Sequence, residues 1–471
     1  MEAASSLSLA DVAGASFGLE HFGACQFGDQ RLTKRAIVTG DALLRHPGGT
    51  LPEKLPKTEL MGFYDFANNA KVSHDAVLAA HAQRTRRQME QCAGVVLVIH
   101  DTTEADFSGL DIPDLGQIGN GYCRGMLVHN VLAMDYRNRE VLGLAGQIVQ
   151  TRRKVARNES VTASRKHPQR ESRLWPKGVE AVGKPPPGAV WVNLMDRGGD
   201  TFESLDRQHR LGQCFLVRSR TNRNVQVRDA LGRPMRRKLH DWARKLPTLG
   251  TRVVHVMGNH AQEARDATVR VASGPVRLLV PHVKYGEHGT EPLDVWVVHV
   301  KEQEPPSGQE PLEWILLSSV SAQTRAEAWE RVDWYACRPV IEEYHKAEKT
   351  GCGMELPQFT TRHALEVTIA MLSVVAVQLL RLRDLSRRPD ADSRPATEVM
   401  DTVYVEVLSL WRYREVRELS VKEFLYALAR LGGHLGRNQD RPPGWLVLWR
   451  GWSKLQSLVE GALLMRRKRC G

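Results

Sequence analysis

The sequence predicts an α/β protein, and three observations lead to that class. Residues 95–99 (Val-Val-Leu-Val-Ile) and 189–195 (Ala-Val-Trp-Val-Asn-Leu-Met) are apolar runs of the kind found in central strands buried on both faces. Between about 221 and 310 the texture changes to alternating stretches, such as 252–256, 268–271 and 296–300, which read as an antiparallel β insertion. Both ends of the chain carry helical periodicity instead. The expected division is an N-terminal helical unit over 1–85, a catalytic α/β unit over 86–383 with the insertion at about 221–312, and a C-terminal helical unit over 384–471.

Taken in order, Asp29 and the basic residues after it open an amphipathic helix with Ile37, Leu43 and Leu44 on its apolar side. Arg31, Lys34 and Arg35 on that helix can follow a phosphate backbone, or simply form a solvated basic face. A Pro- and Gly-rich loop over 46–57 precedes a second helix at 58–66. The strand at 95–99 is expected to stop at His100-Asp101, leaving a carboxylate at the rim where sites form in open α/β sheets. Two strands at 126–135 and 141–151 follow, their short link suiting an antiparallel hairpin, and then a polar region over 152–177. The run 189–195 repeats the first pattern and ends at Asp196. A strand at 214–218 is expected to bring Arg218 and Arg220 to the same rim. For either Asp alone, a strand-end turn or cap is the commoner role. After the insertion, 314–317 returns to a buried strand that starts at Trp314. The stretch 363–383 is the most apolar helix, and the last seventy or so residues are helical and Trp-bearing, ending in four basic residues.

Composition limits the partners. The 471 residues are 42% hydrophobic and 25% charged, as in soluble globular proteins, and the net charge of +12 favours a polyanionic partner. Seven scattered cysteines without a Cys-x-x-Cys pair argue against a disulfide framework and a structural zinc site. The N-terminus lacks the basic and apolar segments of a signal peptide, and the apolar run 367–380 is too short to span a bilayer. A cytoplasmic protein with no membrane partner is the expectation.

The stretch 335–349 organises the rest. At helical spacing Arg338, Glu342, Lys346 and Lys349 share one face, with Tyr335 approaching from the turn before. Pro339 is tolerated only in a first turn, so the helix is expected to begin near Arg338. A surface helix with i,i+4 ion pairs would give the same charge pattern. Together with Asp101 and Asp196, however, Glu342 completes three carboxylates from distant segments. An oxygen-only donor set favours Mg²⁺ or Mn²⁺, and cations such as Arg338, Lys346, Lys349 and Arg218 would hold a phosphate beside it. Residue chemistry thus leads to metal-dependent reaction at a phosphodiester, and no further.

The spacing of Tyr335, Arg338, Glu342 and Lys349 resembles the signature of DDE transposases of the insertion-sequence-four family. Asp101-Thr102-Thr103 and Asp196-Arg197 resemble that family's two Asp motifs, and the likeness extends from Gly28-Asp29 to the region 445–455. The resemblance implies a ribonuclease-H-like mixed-sheet core with a β insertion before the Glu helix, flanked by helical domains. It implies Asp101, Asp196 and Glu342 as ligands of two Mg²⁺ ions, with Mn²⁺ able to substitute. Tyr335, Arg338, Lys346 and Lys349 would contact phosphates, and Trp314 would stand near a base flipped in a hairpin step. Trp314 is equally readable as a core residue of its strand. The implied partners are double-stranded DNA, as terminal inverted repeats and target, and a second copy of the chain in a synaptic homodimer, on the bacterial nucleoid. Two rivals from other classes remain: a metal-dependent nuclease on the same fold, and an inactive, transposase-derived DNA-binding protein. An RNA-binding module lacks the aromatic-bearing strands it would need.

Overall fold

The computed structural model describes residues 17–46, 48–256, 264–281, 287–437 and 442–469, with side chains to 465 in the last segment. Helices α1 (Phe17–Phe22), α2 (Gln30–Arg45), α3 (Leu51–Lys54), α4 (Lys57–Ala67) and α5 (His74–Gln91) come first. Asp29 starts α2 by accepting from the N–H of Arg31, and the capping box of Thr50 and Glu53 starts α3 inside the expected loop. Phe17, Phe22, Phe63 and Phe66 are fully buried and seat this segment on the rest of the molecule. Helix α5 runs through residue 85 without interruption.

One sheet of twelve strands forms the centre. Strands β1 (Val95–Asp106), β2 (Gly116–Ile118), β3 (Cys123–Asp135) and β4 (Glu140–Gln150) precede helices α6 (Val161–Lys166) and α7 (Leu174–Val182). Then come β5 (Val190–Met195), α8 (Phe202–Arg210) and β6 (Cys214–Arg218). Within the sheet the order β4–β3–β1–β5–β6, with β1, β5 and β6 parallel and β3 antiparallel to both neighbours, is a ribonuclease-H-like core. The parallel strands bury both faces, which is why their sequences are continuous apolar runs.

The insertion extends this same sheet. Strands β7 (Asn224–Arg228), β8 (Pro234–Lys238), β9 (Thr248–Val256), β10 (Arg265–Leu278), β11 (Leu293–Glu302) and β12 (Glu313–Ser318), with helix α9 (Leu239–Lys245), join it antiparallel through the pairing of β12 with β6.

Two expectations need correction here. Strand β1 does not stop at residue 100: its parallel pairing to β5 ends at Ile99 with Leu194, but its antiparallel pairing to β3 continues to Asp106 with Gly125. Asp101 therefore sits mid-strand, at the point where one of two partners peels away. The polar region 152–177 also contains structure, since Leu174, Trp175, Val179 and Val182 bury the inner side of α7.

Helix α10 (Arg325–Tyr335) leads through a turn into α11 (Val340–Lys346), which continues as a single π turn, Ala347–Gly351. Helix α12 (Arg362–Leu385) lies beneath. Its 24 residues are apolar enough to cross a membrane, yet 94% of the relevant window is buried inside the protein, so it is a core helix. Helices α13 (Thr402–Tyr413), α14 (Val421–Leu431) and α15 (Trp445–Arg469) close the chain on α12. The basic side chains at 466–469 lie outside the described residues, and the six described cysteines are free thiols.

Candidate active site

Sheet register brings the two Asp residues together. Ile99 pairs with Leu194, so Asp101 and Asp196 stand two positions further along adjacent strands. Asp101 accepts from the N–H of Thr102 at 2.9 Å through one oxygen. Asp196 accepts from the N–H of Gly198 at 2.7 Å and so caps the turn that follows β5. The cap role and a place in the cluster coexist, because each carboxylate has a second oxygen. Gly198 is needed for this turn: a Cβ there would stand 2.6 Å from the Trp175 ring and 3.0 Å from Asp196 Oδ1.

The third carboxylate arrives on α11, and its placement has a clear cause. Asn130 on β3 is the register partner of Asp101, so the two side chains share a face of the sheet. On that face Glu348, in the π turn, is fully buried. Its oxygens accept from Asn130 Nδ2 at 2.8 Å, Gln147 Nε2 at 3.2 Å, Tyr344 Oη at 2.9 Å and Ser373 Oγ at 2.8 Å. Glu348 thus pins the signature helix to β3, β4 and α12, and six residues earlier Glu342 shares the Arg338 guanidinium with Asp101. Burial raises the Glu348 carboxyl to about 7 while the Ser373, Tyr344 and Asn130 donors and the charge of Lys349 pull the other way.

Arg338 joins the cluster. Its guanidinium donates to Asp101 Oδ2 at 3.3 Å and also pairs with Glu342. The Asp101 carboxyl is nevertheless raised to about 6, first by burial and then by Asp196 and Glu342, with Arg338 opposing. Among the described residues no three Asp, Glu, His or Cys side chains are gathered closely enough to hold a metal ion. Arg338 stands between two of the three carboxylates, supplying the positive charge they need.

Tyr335 ends α10 and is buried, with burial raising its phenol above the usual value while Arg338 and Arg218 act against that. Arg218 hydrogen-bonds to it and donates to the carbonyl of Glu313 at 3.1 Å. Half-buried Trp314 lies edge-on to the Tyr335 ring, 5.1 Å between centroids. Lys346 is exposed one turn past Glu342. Lys349 pairs with Glu355 at 3.0 Å, and Glu355 accepts the N–H of Asp106, tying the π turn to the far end of β1. Arg220 is not brought to this edge: its N–H is taken by Asp200 at 2.7 Å and its side chain is exposed. The strand has ended at Arg218, so the alternation that would have aligned the two arginines is lost.

On the N-terminal helices Arg31 is 90% exposed and, among the described residues, paired only to its own cap Asp29, and Lys34 is exposed. Arg35 instead reaches Glu59 at 2.6 Å, packing over Gly62 to join α2 to α4.

Several residues of the site escaped the sequence reading. Arg197 acts on Arg218 from beside Asp196, and His345 is half-buried and neutral, with a buried Nε2 that has no hydrogen-bond partner among the described residues. Below the carboxylates a polar layer joins His100 to Asn193 at 2.8 Å and His129 to Thr102 at 2.8 Å, with Trp175 against His129. The spacing of Leu174, Trp175, Val179 and Val182 was the signal that could have revealed this covering helix.

Comparison with known families matches residues 15–72 to the transposase DNA-binding family. This segment comprises α1 to α4, the helices that carry Arg31 and Lys34. The match supports a DNA-binding transposase, with DNA as its partner.

Proposed function

We propose that the chain is a DDE transposase of the insertion-sequence-four family, similar to the transposon-five transposase, that excises an insertion sequence and joins it to target DNA. The observation that carries this reading is the meeting of Asp101 and Asp196 on adjacent strands, with Glu342 joined to Asp101 through the Arg338 guanidinium, on a ribonuclease-H-like sheet in a chain whose first helices match the transposase DNA-binding family. The donor set is all oxygen, so Asp101, Asp196 and Glu342 would be the residues to hold a pair of Mg²⁺ ions, or Mn²⁺ in their place, once Arg338 lets go of Glu342 and the three close up. When bound, such ions would activate the attacking oxygen and stabilise the leaving oxygen in an in-line displacement at phosphorus.

The chain's own residues have distinct tasks in this reading. Arg338 neutralises the carboxylates before DNA arrives and then turns its fork to a phosphate, releasing half-exposed Glu342 to the ligand set. Arg218, half-buried beside Tyr335, would fix the phenol toward the same phosphate. Lys346, exposed on the face of Glu342, adds charge along the backbone of the bound strand. Lys349 is held by Glu355 at the far end of β1 and would meet the next phosphate. Trp314 would wall the base beside the cut during hairpin formation, its edge set against Tyr335. Arg31 and Lys34 would lie on the terminal inverted repeat, and two copies of the chain would hold the two ends.

The test uses purified protein, a labelled duplex carrying the terminal repeat of the element that encodes it, target plasmid and Mg²⁺. Hairpin ends and joined product with the natural chain, both absent with Glu342→Ala, would support the proposal. Cutting without joining would favour a nuclease, and end binding without any cut would favour an inactive DNA-binding protein.

A further inference from the structure

A basic cleft lies at the sheet edge beyond Asp101. Strand β4 ends where Gln150 pairs with Leu127, and β2 takes over on the same side of β3 where Gly116 pairs with Gly125. The chain leaving β4 is pressed into that join, since a Cβ on Gly116 would stand 2.6 Å from the Arg152 nitrogen. Residues 152–173 then carry eight Lys and Arg against two Glu, a net +6 out of the chain's +12. Between this run and the β2–β3 turn is a cleft of about 1080 Å³, with Arg124, Arg152, Arg153, Lys154 and Arg170 in its lining.

Its walls are built rather than loose. Arg152 is fixed by Glu104 and Glu171, each at 3.1 Å, and Arg153 by both oxygens of Glu159 and by Ser164. Arg124 donates to the carbonyls of Ile112, Pro113 and Leu115. Lys154, Arg157 and Lys166 are exposed beside these fixed arginines. At the rim Tyr122 is 94% exposed, on a turn whose Gly119 and Gly121 adopt φ of +56° and +99°. Those angles suit glycine and hold the ring out of the fold. A lone exposed aromatic would mean little; on the rim of a basic cleft it is a platform on which an unpaired base can stack.

Position ties the cleft to the site. Glu104, the partner of Arg152, is three residues along β1 from Asp101, about 10 Å at ~3.3 Å per residue. The odd step puts its side chain on the opposite face of the sheet from Asp101, so a strand leaving Asp101 for the cleft passes over the edge of β1 that β5 has left open beyond Ile99. Even at the duplex rise of roughly 3.4 Å per nucleotide that separation along β1 is spanned by about three nucleotides, and an extended single strand covers it in fewer. We propose that the cleft holds this departing strand as single-stranded DNA, with Tyr122 stacked on a base and the 152–166 cations on its phosphates. The strand's origin at Asp101 rests on the function proposed above, whereas the cleft's affinity for unpaired DNA does not.

The experiment uses the full chain in EDTA, so that no chemistry occurs, with fluorescein-labelled dT12 followed by anisotropy from about 50 to 200 mM salt. Tyr122→Ala should weaken binding about tenfold, and the combined Lys154→Ala, Arg157→Ala, Lys166→Ala variant should lower the salt slope by about two. Photocrosslinking of 5-iodouracil-substituted dT12 should label the peptide containing Tyr122. Thermal unfolding of each surface variant checks that the fold is intact. Binding of dT12 indifferent to both changes would overturn the proposal, as would equal losses for a random 12-base-pair duplex or stronger binding of the matching RNA. If Tyr122-dependent binding holds while the chain cuts no DNA, the cleft assignment stands and the transposase reading falls. The reverse pattern removes the cleft alone.

Discussion

Replacing Glu348 tests how the third carboxylate is positioned. In the native chain this buried carboxyl receives four donors, yet burial holds it at about 7, above the ordinary 4.5. A carboxyl raised on folding stabilises the fold fully below the unfolded value, and that stability is lost as pH rises through the folded value. Over the window from 4.5 to 7 the loss is at most about 3 kcal/mol, at 1.36 kcal/mol per unit. Glu348→Gln keeps the shape and one acceptor but cannot ionise. Its melting temperature should therefore change less between pH 5 and pH 7.5 than that of the natural chain, which should lose stability relative to the variant as pH rises. Glu348→Ala has another signature. Gln147 keeps Asn130 Oδ1 and Ser373 Oγ as acceptors, and Tyr344 keeps the Ser373 carbonyl, so Asn130 Nδ2 and the Ser373 hydroxyl are the donors orphaned. Two orphaned buried donors at about 1–3 kcal/mol each, with the cavity left by the side chain, give a loss of at least about 3–5 kcal/mol. Differential scanning fluorimetry across pH measures both variants. Parallel melting curves for the natural chain and Glu348→Gln would refute the burial-dominated carboxyl and leave the four donors as the stronger influence.

Asp101→Asn should abolish cleavage while leaving the melting temperature unchanged or raised by a few degrees, because it removes a buried carboxylate crowded by Asp196 and Glu342; a large drop in a thermal scan would show that the Arg338 pair matters more. Gly198→Ala should cost about 1–3 kcal/mol in a denaturant titration, since its methyl meets the buried Trp175 ring at 2.6 Å, and should reduce cleavage by moving Asp196. Arg31→Ala should weaken binding to the terminal repeat and lower the salt slope by about one, read by anisotropy, with no loss of stability. Arg35→Ala should instead cost up to about 1 kcal/mol of stability, because its half-exposed pair with Glu59 joins two helices.

The difference between Arg31 and Arg35 shows where sequence patterning runs out. Both fall in one basic helix, and charge spacing cannot tell which faces solvent and which crosses to Glu59 twenty-four positions away. The α/β class and the meeting of Asp101 with Asp196 were legible for a physical reason: buried parallel strands have continuous apolar sequences, and each Asp follows its run closely enough that the register pairing Ile99 with Leu194 sets the two side by side. The extent of β1 beyond Asp101 was not legible, because His100-Asp101-Thr102-Thr103-Glu104 lacks an apolar pattern and is held as a strand by β3 alone. Helix α7 was hidden by the charge before it, although its apolar spacing was present.

Glu348 was the deepest omission. Six residues after Glu342, in a run of charged side chains, it reads as one more surface carboxylate. Only the fold puts Asn130 and Gln147 opposite it, and they are register partners on adjacent strands whose own polarity looks out of place in buried sequence. Asn130, Gln147 and Asn193 are polar residues inside otherwise apolar strands, and each is matched by a buried partner from a distant element. A polar residue in a two-sided buried strand costs free energy unless it is paired. Such residues in a sequence therefore announce a partner without naming it, and in this chain the partner of Asn130 sets the height of Glu342 above the sheet. The geometry of the carboxylate cluster depends as much on that unadvertised contact as on the three carboxylates themselves.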